Sequence, residues 1–286
     1  MAEISQLLKD RSRETGIRLD ILEKDYALSY LLAAITATPG LGKQVVLKGG
    51  AALRKLYYPD YRFSEDLDYS TLTLGKVPDL AEKINQAVGQ MATMLDEHGP
   101  FQVQVDPLIL REAHPGEQSA YTVRVQFPTQ RQALCRLKVE ISVDEPILIK
   151  PVLRPVLHDL DDMGKSSVSA YTLAEIVSEK LRALLQSRAR LAERGWGASR
   201  VCRDYYDLWR ILSAEGRMAG QIPGLLERKC RVRQVVFSSS AELVSPELFQ
   251  VARTEWIAQL QPFVPHATGV EQVLAEVKPL ILDLWG

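Results

Sequence analysis

Residues 62–68 read RFSEDLD, and this short stretch decides how the rest of the chain is interpreted. Side chains of a β-strand alternate between its two faces, so a strand here places Asp66 and Asp68 together and Leu67 opposite them. Two neighbouring carboxylates repel each other unless a cation lies between them. Mg²⁺ suits such a place because it binds one or two carboxylates together with substrate phosphates. The pattern therefore predicts a magnesium site, although most Asp-x-Asp pairs are solvated strand ends or turns.

The preceding segment, residues 44–57, supports this interpretation. Its β-branched run ends at Lys48 and predicts a strand, while Gly49-Gly50 and the alanines after them predict a tight turn that opens a helix. Backbone N–H groups at such a turn can approach a phosphate, and Lys48 adds a positive charge. The alternative is a plain turn without a ligand.

A third carboxylate comes from residues 134–143, in which apolar and polar side chains alternate. Glu140 lies on the polar face of this predicted strand, together with Arg136 and Lys138. There it can complete a two-metal site or act as the base for an attacking hydroxyl. The alternative is an exposed face on which Glu140 offsets the two cations.

The remaining pattern predicts an α+β fold, with an N-terminal mixed-sheet domain and flanking helices followed by a C-terminal all-α domain. Predicted strands are residues 44–48, 67–70, 101–110, 121–127 and 134–143, and the first helices are residues 19–35, 51–57 and 79–95. Later helices are predicted at residues 172–190, 200–212, 222–229, 245–260 and 270–278, the last ended by Pro279. Prolines after residue 145 place the boundary between domains 1–150 and 151–286.

Two charged residues fall on apolar helix stripes in the second domain. Lys180 lies on the stripe of the helix predicted from residue 172, and Asp204 lies on the stripe of the next helix, with Asp207 at its edge. A charge on a buried face needs a partner or a ligand. We expect either a structural Lys180–Asp204 salt bridge or a lysine that reaches a triphosphate while Asp204 orients it.

Composition excludes several other classes of protein. Hydrophobic residues make up 46% and charged residues 25%, as in an ordinary globular protein. The apolar stretches are shorter than the roughly 20 residues that cross a bilayer, so no membrane association is expected. Cys135, Cys202 and Cys230 are widely spaced, which predicts reduced, buried thiols and a cytoplasmic location.

The net charge of -1 hides a basic segment at residues 180–233. This segment carries thirteen Lys or Arg against five Asp or Glu. Such an excess favours phosphate or nucleic acid as a ligand. The alternative is a helical region with solvated arginines.

Four motifs, taken in order, resemble those of the AbiEii/AbiGii-type nucleotidyltransferase toxins, a family of the DNA polymerase β-like superfamily. They are LKGGAAL with RFSEDLD at residues 47–53 and 62–68, KVEIS at 138–142, EKLRAL at 179–184 and RDYYDL at 203–208. The resemblance covers most of the chain. One departure is Ala51, which stands where many members have Thr or Ser and so removes a hydroxyl contact to phosphate.

This resemblance implies a metal-dependent toxin that transfers a nucleotide from an NTP to an acceptor such as the 3′ end of tRNA, and that a separately encoded antitoxin neutralises. Two Mg²⁺ ions are expected, with Mn²⁺ as an alternative. The predicted catalytic residues are Asp66, Asp68, Glu140, Lys180 and Asp204, the first three as metal ligands. The predicted substrate-binding residues are Lys48, Gly49, Gly50, Arg62, Ser64 and Asp207. The competing functions are a two-metal ribonuclease and a non-catalytic nucleic-acid-binding relative.

Overall fold

The computed structural model describes residues 4–109, 117–160, 163–264 and 267–286, except for the side chains of residues 216, 217 and 219. The chain divides into two compact units, residues 1–171 and residues 172–286. The first unit is a mixed sheet with flanking helices, as the sequence predicts. The described elements of the second unit are helical.

The first unit contains four α-helices and seven strands among its described residues. The helices are α1 (Ile4–Thr15), α2 (Leu19–Ala37), α3 (Gly49–Ala52) and α4 (Leu80–Leu95), and a π-helical turn, Leu53–Tyr57, continues α3. The strands are β1 (Val45–Lys48), β2 (Asp66–Thr71), β3 (Gln102–Pro107), β4 (Gln118–Gln126), β5 (Cys135–Ser142), β6 (Val152–Pro155) and β7 (Ser167–Ala170). Residue 110, the predicted end of the third strand, lies outside the described residues.

The sheet order is β3-β4-β5-β2-β1-β7-β6, which places β2 at the centre. Strand β2 pairs antiparallel with β1 and parallel with β5, and β1 pairs parallel with β7. The strand β5 buries Cys135, Leu137, Val139 and Ile141 and turns the intervening residues to the other face, as its alternation predicts. The segment that carries the paired aspartates is therefore held by hydrogen bonds on both sides.

Helix α2 is buried on nearly all sides and packs against α4, β5 and β7. It also contains a charged residue, Asp25, which is buried. The Asp25 carboxylate lies 2.7 Å from Lys55 Nζ and 3.5 Å from Arg54 Nε, both on the π-helical turn after α3. Burial alone would raise the pKa of Asp25, but the charges of Lys55 and Arg54 outweigh it and hold this pKa below its usual value. These ion pairs tie the segment after the glycine turn to the central helix.

The second unit has five α-helices among its described residues: α5 (Leu173–Arg194), α6 (Val201–Ala214), α7 (Ile222–Val232), α8 (Pro246–Glu255) and α9 (Val270–Leu282). Thr172 caps α5, because its hydroxyl accepts the backbone N–H of Glu175 at 3.3 Å. Helix α5 packs against α6 and α7, and α6 packs against α8 and α9. These contacts bury the apolar stripes that the sequence analysis identified.

Two predictions about organisation need correction. The two units divide after Tyr171, not after residue 150, because β6 and β7 fall between these positions and β7 pairs with β1. The prolines on which the predicted boundary rests do not interrupt the sheet, because Pro155 is the last residue of an outermost strand, where proline is tolerated. Helix α9 continues to Leu282 and includes Pro279, so the proline costs a hydrogen bond without ending the helix.

Candidate active site

The candidate site is built on the middle strand of the sheet. Asp66 and Asp68 are partly exposed on one face of β2, whereas Leu67 and Tyr69 are buried on the other. Asp68 lies opposite Lys48 of β1 and opposite Glu140 of β5. Because residues directly opposite each other share a face, the paired strands gather these groups on one side of the sheet. Asp66 and Asp68 therefore share one face of their strand, as the sequence predicts.

The glycine turn lies directly against this acidic face. Gly49 has a φ of +70°, and a Cβ placed there would lie 2.9 Å from Asp68 Oδ2. A Cβ on Gly50 would lie 2.7 Å from Arg62 Nη2 and 3.2 Å from Ser64 Oγ. Only glycine allows the backbone to approach these side chains so closely, and only glycine adopts the left-handed conformation at residue 49 without strain. Five of the residues predicted from the sequence are thus brought together.

Lys48 is placed differently from the prediction of a free phosphate-binding cation. Its side chain is buried, and its ammonium forms an ion pair with Glu145 and lies 3.5 Å from Ser142 Oγ. Glu145 follows β5 and is itself buried. Lys48 therefore ties the end of β1 to the end of β5 and the segment after it, and Glu145 is a site residue that sequence reasoning missed.

Glu140 is in register with Asp68 but is engaged by a cation. Its Oε1 lies 2.7 Å from Lys138 Nζ on the same strand, and its side chain is 14% exposed. Among the described residues, no group of three His, Cys, Asp or Glu side chains is arranged to surround one metal ion. Asp66 and Asp68 are the carboxylates best placed to hold Mg²⁺, since phosphates and water commonly complete its coordination.

The predicted charged residues of the helical unit also meet. Lys180 Nζ lies 3.0 Å from Asp204 Oδ1 and 2.5 Å from Asp207 Oδ2. The Asp207 side chain is 0% exposed and that of Asp204 is 17% exposed. Asp207 was predicted to bind substrate, but a fully buried carboxylate has no surface to offer and instead holds the lysine. The Lys180–Asp204 pair is formed as expected.

Comparison with known proteins identifies the family of this chain. Residues 30–276 match the family described as "Nucleotidyl transferase AbiEii toxin, Type IV TA system". The chain belongs to this family. Among solved structures, this AbiEii-family chain is similar to MenT4, a nucleotidyltransferase toxin from Mycobacterium tuberculosis H37Rv. The two share 19% sequence identity and a TM-score of 0.62 over 98% of this chain and 89% of MenT4, so the likeness concerns the fold. No curated protein gives a significant match.

The helical unit of the AbiEii-family chain holds a second buried ion cluster, which the sequence analysis did not predict. Lys229 Nζ lies 2.8 Å from Glu175 Oε1 and 3.1 Å from Glu179 Oε1, and the lysine is 1% exposed. A signal was present, because Lys229 continues the apolar stripe of α7 that includes Leu225 and Leu226. Lys229 is therefore a charged residue on an apolar helix stripe, as Lys180 is.

The cysteines of this toxin-family chain are placed as predicted. All three are free and buried. Burial raises the pKa of Cys135 and of Cys202 to about 12 and that of Cys230 to about 11. Since the thiolate is the reactive form, these thiols are poor nucleophiles at neutral pH. Within the described ranges, no helix is both long and apolar enough to cross a bilayer.

Proposed function

We propose that this AbiEii-family protein is a metal-dependent nucleotidyltransferase that moves a nucleotide from an NTP to an RNA acceptor such as the 3′ end of tRNA. The observation that carries the proposal is the placement of Asp66 and Asp68 on one partly exposed face of β2, against the Gly49-Gly50 turn. This combination offers both carboxylates for a cation and backbone for a phosphate.

In the proposed site, Asp66 and Asp68 would hold Mg²⁺, with Mn²⁺ as a substitute. Bound metal would neutralise charge on the triphosphate and favour ionisation of the attacking hydroxyl. Backbone N–H groups of the Gly49-Gly50 turn would donate hydrogen bonds to the phosphates, with Ser64 and the edge of the Arg62 guanidinium beside the turn. Lys48 would act through its ion pair with Glu145, by holding the strand end from which the turn begins.

The transfer is a single displacement at the α-phosphorus of the NTP. The hydroxyl oxygen of the acceptor forms the new bond, the bond to the β-phosphate bridging oxygen breaks, and pyrophosphate leaves. We assign acceptance of the hydroxyl proton to Glu140, because it is the register partner of Asp68 and retains some exposure. Lys138 would orient this carboxylate through the 2.7 Å contact.

Lys180 and Asp204 are proposed to be required for activity, as in the motifs that the chain resembles. Asp207 is proposed to position Lys180 rather than to contact substrate, because its carboxylate is fully buried beneath the ammonium. A lysine held by two carboxylates keeps its place when a polyanion approaches. Lys180→Met should therefore lower kcat more than it changes the Kd for the NTP.

The wider setting follows from this chemistry. NTPs and tRNA are abundant in the cytoplasm, where we place the protein, and a separately encoded antitoxin is proposed to neutralise it, as the family description implies. The unit from residue 172 is proposed to be a distinct all-α domain that carries Lys180 and Asp204. The competing ribonuclease would use the same aspartates to activate water, and a non-catalytic relative would use neither.

The test incubates the purified chain with each labelled NTP in turn, with and without total tRNA, in Mg²⁺ and in EDTA. Asp66→Asn and Asp68→Asn should each reduce transfer at least about 100-fold, because losing a residue that merely supports a metal ligand already costs about 10- to 100-fold. The thermal stability of both variants should be retained or increased. Asp106→Asn serves as the control, because Asp106 is exposed on β3 and pairs with Arg124.

Label that joins tRNA only when Mg²⁺ and both aspartates are present supports the proposal. Shortened RNA without label would establish the ribonuclease instead. A growth defect in cells that survives Asp66→Asn would show that the protein acts without this chemistry. Equal losses of activity in Asp66→Asn and Asp106→Asn would remove the aspartate face from consideration.

A further inference from the structure

The connection between α5 and α6 carries an unusual surface side chain. Trp196 is 64% exposed, and it is the one large hydrophobic residue exposed between residues 186 and 203, all of which are described. Most tryptophans in folded proteins bury most of their surface. An indole held in water on a short connection is available to stack on a ligand.

The local backbone holds this indole outward. Gly195 ends α5 with a φ of +74°, donating its N–H to Leu191 O at 2.9 Å. Gly197 adds a φ of +94°, and Arg200 begins α6 with a φ of +64°. These three left-handed residues fall within six positions of one another, and Trp196 lies between the two glycines of this connection.

Three exposed arginines lie close to Trp196 in the chain. Arg190 and Arg194 are exposed one helical turn apart on α5, and Arg200 is exposed where α6 begins. The Arg190 side chain packs alongside the turn, since its Cβ and Cδ lie 3.8 Å from the position of a Cβ on Gly197. Arg194 lies 3.7 Å from Glu193, which is largely exposed. The Glu255 carboxylate accepts the backbone N–H of Cys202 in the first turn of α6. We call Arg190, Arg194, Trp196 and Arg200 the arginine-tryptophan turn.

We propose that the arginine-tryptophan turn binds single-stranded RNA, with a base stacked on Trp196 and phosphates contacted by Arg190 and Arg194. This inference deepens the proposed function, on which it rests for the choice of RNA as acceptor. Single-stranded nucleic acid is bound through aromatic platforms within a positively charged surface, and every base can stack. The planar guanidinium groups of arginine can add both to the stacking on bases and to the contacts with phosphates.

A protein partner fits this surface less well. The cores of protein interfaces combine several apolar side chains and are depleted of charge. Here one exposed indole lies within six residues of three exposed arginines, a combination that complements a polyanion carrying flat bases. The commitment to RNA therefore comes from charge and from the isolation of the aromatic group.

Binding is measured by fluorescence anisotropy with a labelled twelve-nucleotide RNA that lacks secondary structure, using the intact chain without NTP or metal. Trp196→Ala should raise Kd about 5- to 150-fold, the range of base stacking on one aromatic side chain. Trp196→Phe should recover most of the affinity. The pair Arg190→Gln and Arg194→Gln should lower the slope of log Kd against log salt by about 1.4, the value for two released contacts.

Ile257→Ala is the matched control, since Ile257 is a similarly exposed apolar residue of the helical unit outside the basic segment. Wild-type Kd in Trp196→Ala, or equal losses in Trp196→Ala and Ile257→Ala, would overturn the proposal. Loss of a protein partner in Trp196→Ala with an unchanged RNA Kd would reassign the turn to protein docking. RNA binding without metal is separable from transfer, because Asp66→Asn should retain it. A chain that transfers nucleotide but shows no dependence on Trp196 would refute this inference alone.

Discussion

Replacing Gly49 by alanine tests the close packing of the glycine turn against the acidic face. The residue has a φ of +70°, a conformation that costs an alanine about 1–2 kcal/mol. For a unit of this size we expect the midpoint of thermal unfolding to fall by about 2–8 °C. The new Cβ would also lie 2.9 Å from Asp68 Oδ2, whereas ordinary contacts begin at 3.4 Å. The carboxylate must therefore move by about half an ångström.

Such a displacement affects catalysis more than folding. Misplacing a catalytic group by about 1 Å can cost roughly 100-fold in rate, so Gly49→Ala should lower nucleotide transfer by about 10- to 100-fold. Gly16→Ala is the matched control, because Gly16 has the same φ of +70° and no heavy atom lies within 4 Å of its Cβ position. The control should lose the same stability and keep its activity.

The assay pairs calorimetric unfolding with labelled-NTP transfer on the same preparations. Comparable thermal shifts with activity lost only in Gly49→Ala would isolate the contact with Asp68. If Gly49→Ala keeps more than half of the wild-type rate, or if Gly16→Ala loses as much activity, the proposed geometry of the site is wrong.

Two further predictions concern buried charges. Lys229→Met should lower the free energy of unfolding of the helical unit by about 3–5 kcal/mol in urea, because Glu175 and Glu179 then lose their buried partner. Arg231→Met, on the exposed side of the same helix, should change this free energy by less than about 1 kcal/mol. Similar effects in the two variants would contradict the burial argument. Because the pKa of Asp25 is lower in the folded than in the unfolded state, its contribution to stability is complete above about pH 4 and is lost as the pH falls through the folded value. Urea unfolding measured from pH 6 to pH 2.5 should therefore show a weaker acid dependence in Asp25→Asn, and an unchanged dependence would exclude this carboxylate as its source.

The sequence predicts those strands of the sheet in which neighbouring residues alternate recognisably between the two faces. The alternation in β5 and the RFSEDLD segment set which side chains share a face, and β2 follows this pattern at Asp66 and Asp68. The strands β6 and β7 are only four residues long: β7 alternates serine with Val168 and Ala170, but over too short a run to be distinctive, and the residues of β6 do not alternate. Their place in the sheet depends on pairing with β1 and with each other, which a reading of neighbouring residues does not reveal.

The same distinction applies to the site. Lys180 and Asp204 were found because each interrupts an apolar stripe, and Lys229 carries the same signal. Glu145 carries none, since its burial results from an ion pair with a residue 97 positions earlier. A contact of this separation exists only once the strands have assembled.

The ends of the strand order have a consequence for the behaviour of the protein in concentrated solution. An outermost strand can recruit a strand from another molecule and so start aggregation. Here β3 and β6 occupy these positions, and they are only six and four residues long. Each ends in a proline, Pro107 or Pro155, which offers no N–H to an incoming chain. Both outermost strands thus offer few hydrogen-bonding groups to a strand from another molecule, which limits aggregation through the edges of the sheet.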